Sequence, residues 1–141
     1  MAGRARLAIA ILLLAALPAC RRVASFLSEP GLVRALPAAA TDVRTWSWQE
    51  QGPLPQDSTL RVRARVTHEE FVEYVTGMGM APHTPERRYG HGFAPAWGPD
   101  PGIDWWTPSR ELGETYVRED GASWTSAKWE DGFIWIAHDE I

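Results

Sequence analysis

Ser123-Trp124-Thr125-Ser126-Ala127-Lys128-Trp129-Glu130-Asp131-Gly132-Phe133-Ile134-Trp135-Ile136-Ala137-His138 decides the fold of this chain. Asp131-Gly132 stands between two runs rich in β-branched and aromatic residues. Asp-Gly is the signature of a tight hairpin, because both central residues of a type I′ turn need positive φ. Counting outward from the turn pairs Trp129 with Ile134 and Ala127 with Ile136, which makes one apolar face. The same register sets Lys128 opposite Trp135 on the other face, in reach of a cation–π contact. His138 falls opposite Thr125 and reads as a strand-end residue. Asp120-Gly121 repeats the turn signal upstream, so Glu114–Glu119, Ser123–Glu130 and Phe133–His138 form a three-stranded meander.

Working towards the N-terminus, Leu60, Val62, Ala64 and Val66 alternate with Arg61, Arg63 and Arg65. That period of two marks a half-buried strand with its arginines on one face. The stripe reads as a solvated sheet face paired with carboxylates on neighbouring strands; a polyanion site is the sharper alternative. Trp46-Ser47-Trp48 gives a preceding strand, joined through the turn-rich Gly52-Pro53-Leu54-Pro55. Thr67-His68-Glu69-Glu70 fits a capping box and opens a helix. Its apolar stripe is Phe71, Val75 and Met78 with Val72 beside them, and Gly77 and Gly79 end it. The capping role accounts for His68-Glu69-Glu70 without acid–base chemistry.

Residues 81–112 hold six of the eleven prolines, together with His83, His91, Trp97, Trp105 and Trp106. A long irregular segment rich in aromatics is the place to look for ligand binding. Trp97, Trp105 and Trp106 are the candidate ligand-binding residues, as a stacking platform for a glycan. The competing reading packs them on the sheet as a substitute core. In an extended chain Trp105 and Trp106 point to opposite sides, so one anchors and the other stays partly exposed. His83 and His91 with Asp100 or Asp104 match no compact metal-ligand spacing, and no metal is expected. The expected class is α+β: a single small domain with an antiparallel sheet and one packed helix, in the order β-β-α-long loop-β-β-β.

The first twenty residues locate the protein. Arg4 and Arg6 precede an unbroken apolar run, Leu7–Leu17, and Leu17-Pro18-Ala19-Cys20 closes it with the sole cysteine. The order is that of an export signal, and the run is too short to span a bilayer. Leu17-Pro18-Ala19-Cys20 resembles the bacterial lipobox. That resemblance implies cleavage before Cys20, a diacylglyceryl thioether and an N-acyl group on Cys20, and no other cofactor. In a host with two membranes, Arg21 in place of aspartate resembles the default outer-membrane case, facing the periplasm. The division expected is a signal peptide over 1–19, a lipidated tether over 20–40 and a globular domain over 41–141. Cleavage after Ala40 is the rival, but it lies far beyond the apolar core.

Loss of Arg4 and Arg6 leaves twelve basic residues against eighteen acids, a net of −6. An acidic chain carries no electrostatic footprint for nucleic acid, and it meets the membrane through its lipid rather than by charge. Leu36-Pro37, Ala40-Thr41-Asp42-Val43, Phe71-Val72-Glu73-Tyr74-Val75, Trp105-Trp106-Thr107-Pro108 and Lys128-Trp129-Glu130-Asp131-Gly132 together resemble a loose group of uncharacterised bacterial secreted proteins and lipoproteins. The group implies no catalytic residues. The chain shows no nucleophile elbow, no His-Glu-x-x-His and no phosphate-cradling glycine loop. The expected function is a non-enzymatic binding or interaction module of the cell envelope, with an envelope protein or glycan as partner. A glycan-acting envelope enzyme using the 81–112 loop and an immunity or inhibitor protein for a basic partner are the alternatives.

Overall fold

The hairpin at Asp131-Gly132 forms in the register that its turn dictates. A computed structural model describes residues 29–53, 57–90 and 94–141. The chain divides into two units, 1–35 and Leu36–Ile141. In the first, Glu29–Arg34 form a short helix, α1, inside the segment read as tether. Pro30 stands at its start, where a missing N–H is tolerated. The signal-like stretch and Cys20 lie outside the described residues.

The second unit is mostly β, a six-stranded antiparallel sheet. Its strands are β1 (Thr41–Gln49), β2 (Ser58–Arg65), β3 (Ala81–Pro82), β4 (Glu114–Asp120), β5 (Ser123–Glu130) and β6 (Phe133–Glu140). They lie side by side as β1-β2-β6-β5-β4-β3. Trp129 pairs with Ile134, Ala127 with Ile136, Lys128 with Trp135 and Thr125 with His138. Asp131 and Gly132 sit at φ 52° and 80°, as a type I′ turn requires. The other hairpin differs from expectation by one residue. Asp120 pairs with Ser123, so Gly121-Ala122 is the turn, with Gly121 at φ 61°. A glycine alone at positive φ in the first central position is the type II′ pattern, and Asp120 stays in the strand. The two-residue β3 inside the 81–112 segment is an addition that no periodicity announced.

The helix α2 (His68–Gly77) starts as its capping box predicts. The Thr67 hydroxyl accepts from the Glu70 amide at 3.2 Å, and the Thr67 amide donates to the Glu70 carboxylate at 2.7 Å. Its buried residues are Phe71, Tyr74 and Val75. Tyr74 thus replaces Val72 in the expected stripe, because Val72 lies about 100° around the helix from Phe71. Val72 is exposed, and Met78 caps the helix end, half-buried, before Gly79 turns the chain at φ 64°. Phe71 meets Tyr116 edge to face at 5.6 Å. By register, Tyr116 shares a face with Ala127, Ile136 and Val62, all fully buried.

His68 does more than accompany the cap. Its Nε2 lies 2.6 Å from the Glu114 carboxylate, and its ring meets Trp129 edge to face at 4.9 Å. Glu114 is far off in the sequence but adjacent once Glu114 pairs with Trp129. The pair fastens the first turn of α2 to β4.

The sheet's second face carries the arginine stripe, and it is largely covered: Arg61 and Arg63 are half-buried, and only Arg65 is exposed. Trp97, Ile103, Trp106, Trp135 and Ala137 form a second buried cluster there, with Trp46, Trp105 and Phe133 packed at its margin. The expected carboxylate pairing is present, Arg61 to Asp139 at 3.0 Å and Arg63 to Asp42 at 2.5 Å. The guanidinium groups also lie over rings: Arg61 over Trp106, Arg63 over Phe133 and Trp135, Arg65 over Phe133. Alternation separates two faces but does not say what covers either one. Here α2 covers one and the 94–112 segment covers the other.

Candidate functional site

Segment 94–112 is irregular, yet its backbone is closed on itself. Ile103 N–H donates to Asp100 O at 3.0 Å, Trp106 N–H to Ile103 O at 2.9 Å and Asp100 N–H to Trp106 O at 3.2 Å. The Asp100 carboxylate accepts from the Gly102 amide at 2.8 Å. These bonds drive Ile103 and Trp106 into the sheet. Trp97 is fixed from the other end, its indole N–H donating to Thr115 Oγ1 at 3.1 Å.

Lys128 clamps the far end of the segment. It is 1% exposed, and its ammonium donates to Ser109 O at 3.1 Å, Ser109 Oγ at 2.8 Å and Glu111 O at 2.7 Å. Glu130 lies 3.1 Å from the same nitrogen and accepts from Ser109 through both its amide and its hydroxyl. Partial burial alone would raise the Glu130 carboxyl; the bonds from Ser109 and Lys128 outweigh it and hold it below the ordinary value. The expected contact of Lys128 with Trp135 is therefore replaced. The two residues are paired in register, but loop carbonyls satisfy a buried ammonium better than a ring face does.

Between these fixed points a cleft of about 330 Å³ opens, with Arg61, Trp97 and Trp106 towards the sheet and Asp100 and Arg110 among its other walls. Gly98 lines it at φ 143°, and a Cβ there would come within 3.3 Å of Arg110 Cγ. The backbone conformation thus favours glycine, and a side chain there would push against that of Arg110. Among the described residues no carboxylate pairs with Arg110, which is exposed. The cleft offers one free guanidinium, a half-buried second one paired with Asp139, a carboxylate oxygen and the indoles of Trp97 and Trp106. Such a set recognises a polar ligand bearing a carboxylate or phosphate and hydroxyl groups.

Of the three candidate tryptophans, Trp97 and Trp106 are buried, 7% and 4% exposed, while Trp105 is half-buried and meets Trp106 edge to face at 6.0 Å. The structure brings all three into one aromatic layer. Arg61 and Arg110 are the cleft residues that sequence reading missed. Arg61 was visible only as part of a stripe, and Arg110 carried no pattern at all. His83 stacks on Tyr89, with Nδ1 2.5 Å from the phenol oxygen, and Tyr89 meets Trp124 edge to face at 4.5 Å. His91 lies outside the described residues. Among the described residues no group of three or more histidines, cysteines or acids converges as a metal site. No protein-family model, curated protein or solved structure matches the chain.

His138 is buried on the α2 side, its Nδ1 2.8 Å from Thr125 Oγ1. Burial pushes its pKa below the ordinary 6.5, against the raising influence of Glu140 and Asp139. The unfolded chain therefore takes up a proton before the folded one does, and stability falls as pH drops below about 6.5. Glu130 adds a second loss as pH falls below its ordinary 4.5, since its folded pKa is depressed. Urea midpoints measured from pH 8 to 4 are expected to decline in these two stages. His138→Gln should remove the first stage and leave the second.

Proposed function

We propose that this chain is a lipid-anchored α+β binding module of the bacterial cell envelope, attached through Cys20 and recognising its ligand at the Arg61–Asp100–Arg110 cleft. The anchoring part is supported by the basic, apolar and small-residue order that ends at the sole cysteine. The binding part is carried by one observation: Arg110, without a carboxylate partner among the described residues, borders a cleft against an aromatic layer fixed by Trp97 and Trp106. A preorganised pocket of this kind binds without the ordering cost a mobile loop would incur. Trp105 does not line the cleft, but its partly exposed ring meets Trp106, which does. A glycan is favoured over a protein partner because a sugar reaching past the cleft can stack on that indole while its hydroxyls and acid groups meet Asp100 and the arginines.

Two arms test this reading. Cys20→Ala is expected to abolish incorporation of radiolabelled palmitate and move the protein out of the detergent phase; continued labelling would defeat the anchor. Arg110→Ala is expected to keep the urea midpoint and to lose at least tenfold in retention of solubilised envelope material. Retained material that survives protease digestion identifies a glycan, and protease-sensitive material identifies a protein. Equal retention by wild type and Arg110→Ala would remove the cleft as the binding site.

A further inference from the structure

The two edges of the sheet are built in opposite ways. At one, β3 has only two residues and ends in Pro82, which cannot donate. At the other, β1 runs for nine residues without proline or lysine, and it is exposed along its whole length except at Trp46. Trp48 is 49% exposed. Beyond a bulge near its start, this edge is long and regular, and such an edge is a template for another strand.

The backbone shows which groups are free. Glu50 N–H donates to Asp57 O across the β1–β2 hairpin, so residues 44, 46, 48 and 50 turn their amides and carbonyls towards β2. Thr45, Ser47 and Gln49 turn theirs outward, and among the described residues nothing bonds to them. A bulge between Thr41 and Arg44, with Asp42 at φ 48°, ends the regular stretch on one side. What is offered is 44–50, Arg44-Thr45-Trp46-Ser47-Trp48-Gln49-Glu50.

We propose that β1 is the interface of a homodimer, in which two copies of 44–50 pair antiparallel about a two-fold axis through Ser47 and join the two sheets into one. The stretch is complementary to itself in that register. Ser47 faces Ser47, Thr45 faces Gln49, and together these outward pairs exchange about six backbone hydrogen bonds. Trp46 stands opposite Trp48 of the second copy in a non-hydrogen-bonded pair, where side chains approach most closely. Arg44, whose Nε also lies 3.3 Å from Asp42 of its own chain, stands opposite Glu50, so opposite charges meet at both ends. Moving the axis to Trp46 sets Glu50 against Asp42 of the second copy, and moving it to Thr45 sets Trp48 against Asp42 at the bulge. A two-fold through Gln49 leaves Arg44 and Trp46 beyond the strand. Trp46 also packs at the margin of the Trp97–Trp106–Trp135 cluster, so the pairing makes the aromatic layers of the two copies continuous.

The test uses the full chain purified in mild detergent. Sedimentation equilibrium at tens of micromolar is expected to give two chains per particle. Of the backbone hydrogen-bonding groups, Ser47→Pro removes only the outward donor, and it is expected to give one chain per particle with an unchanged far-UV spectrum. Ser47→Cys should form an interchain disulfide under mild oxidant, with the wild-type chain as background. Thr45→Cys should not, since its own counterpart lies four residues away, about 13 Å, beyond disulfide reach. The cysteine pair decides the matter even if the proline variant misfolds. A wild-type monomer, a dimer that survives Ser47→Pro in a folded chain, or disulfide formation at Thr45→Cys as fast as at Ser47→Cys would overturn the proposal.

Discussion

Lys128→Met is expected to destabilise the protein by about 3–5 kcal/mol in urea denaturation. The substitution keeps the length and much of the volume of the side chain, so packing around it is little changed. What it removes is the charge that balances Glu130 and the donors that satisfy Ser109 O and Glu111 O. A partly buried carboxylate without its cation then remains, beside loop carbonyls that have lost their donor, and that is what makes breaking such a pair expensive. The loss is large beside the 5–15 kcal/mol that holds a typical small domain together. Lys128→Met combined with Glu130→Gln should be less destabilising than Lys128→Met alone, because no unpaired charge is left. Trypsin should cut at the exposed Arg110 faster in the single variant, as the clamp on that segment is gone. A single-variant cost under about 1 kcal/mol would mean that the loop is held by its tryptophans alone.

Lys128 shows how far the sequence could be read. Its pairing with Trp135 was fixed by Asp131-Gly132, a local turn preference, and that register is the one observed. Its destination was not readable, because the loop that covers it has no periodicity to say which face it crosses. The arginine stripe was misjudged for the same reason. Period-two alternation in β2 shows that Arg61, Arg63 and Arg65 share a face, and the two carboxylates that pair with them were anticipated. The aromatic layer over that face comes from Trp97, Ile103 and Trp106, brought in by turns around Asp100 that depend on backbone hydrogen bonds rather than on side-chain pattern. His68 and Glu114 repeat the lesson at α2. Each is unremarkable where it stands in the sequence, and they meet only because β4 pairs with β5. The capping box, by contrast, is complete within four residues and formed as written.

Trp106→Ala should cost about 3–5 kcal/mol, while Trp105→Ala should cost no more than about 1 kcal/mol. Trp106 is 4% exposed and meets Trp135 edge to face at 5.4 Å, Trp97 at 6.2 Å and the Arg61 guanidinium at 5.7 Å. Its removal leaves a cavity between loop and sheet that neighbours tied by Lys128 and by the Trp97–Thr115 bond cannot collapse to fill. Trp105 touches the same layer only at its margin and is partly in water, so most of its surface is not recovered on folding. The two variants should also separate in function. Trp105→Ala is expected to weaken retention of envelope glycan in the assay used for Arg110→Ala while keeping the wild-type urea midpoint. Trp106→Ala is expected to lose both, because Trp106 borders the cleft and holds the sheet face closed. Large and equal stability losses at both positions would make Trp105 a core residue, and no exposed ring would then stand beside Trp106 to stack on a sugar.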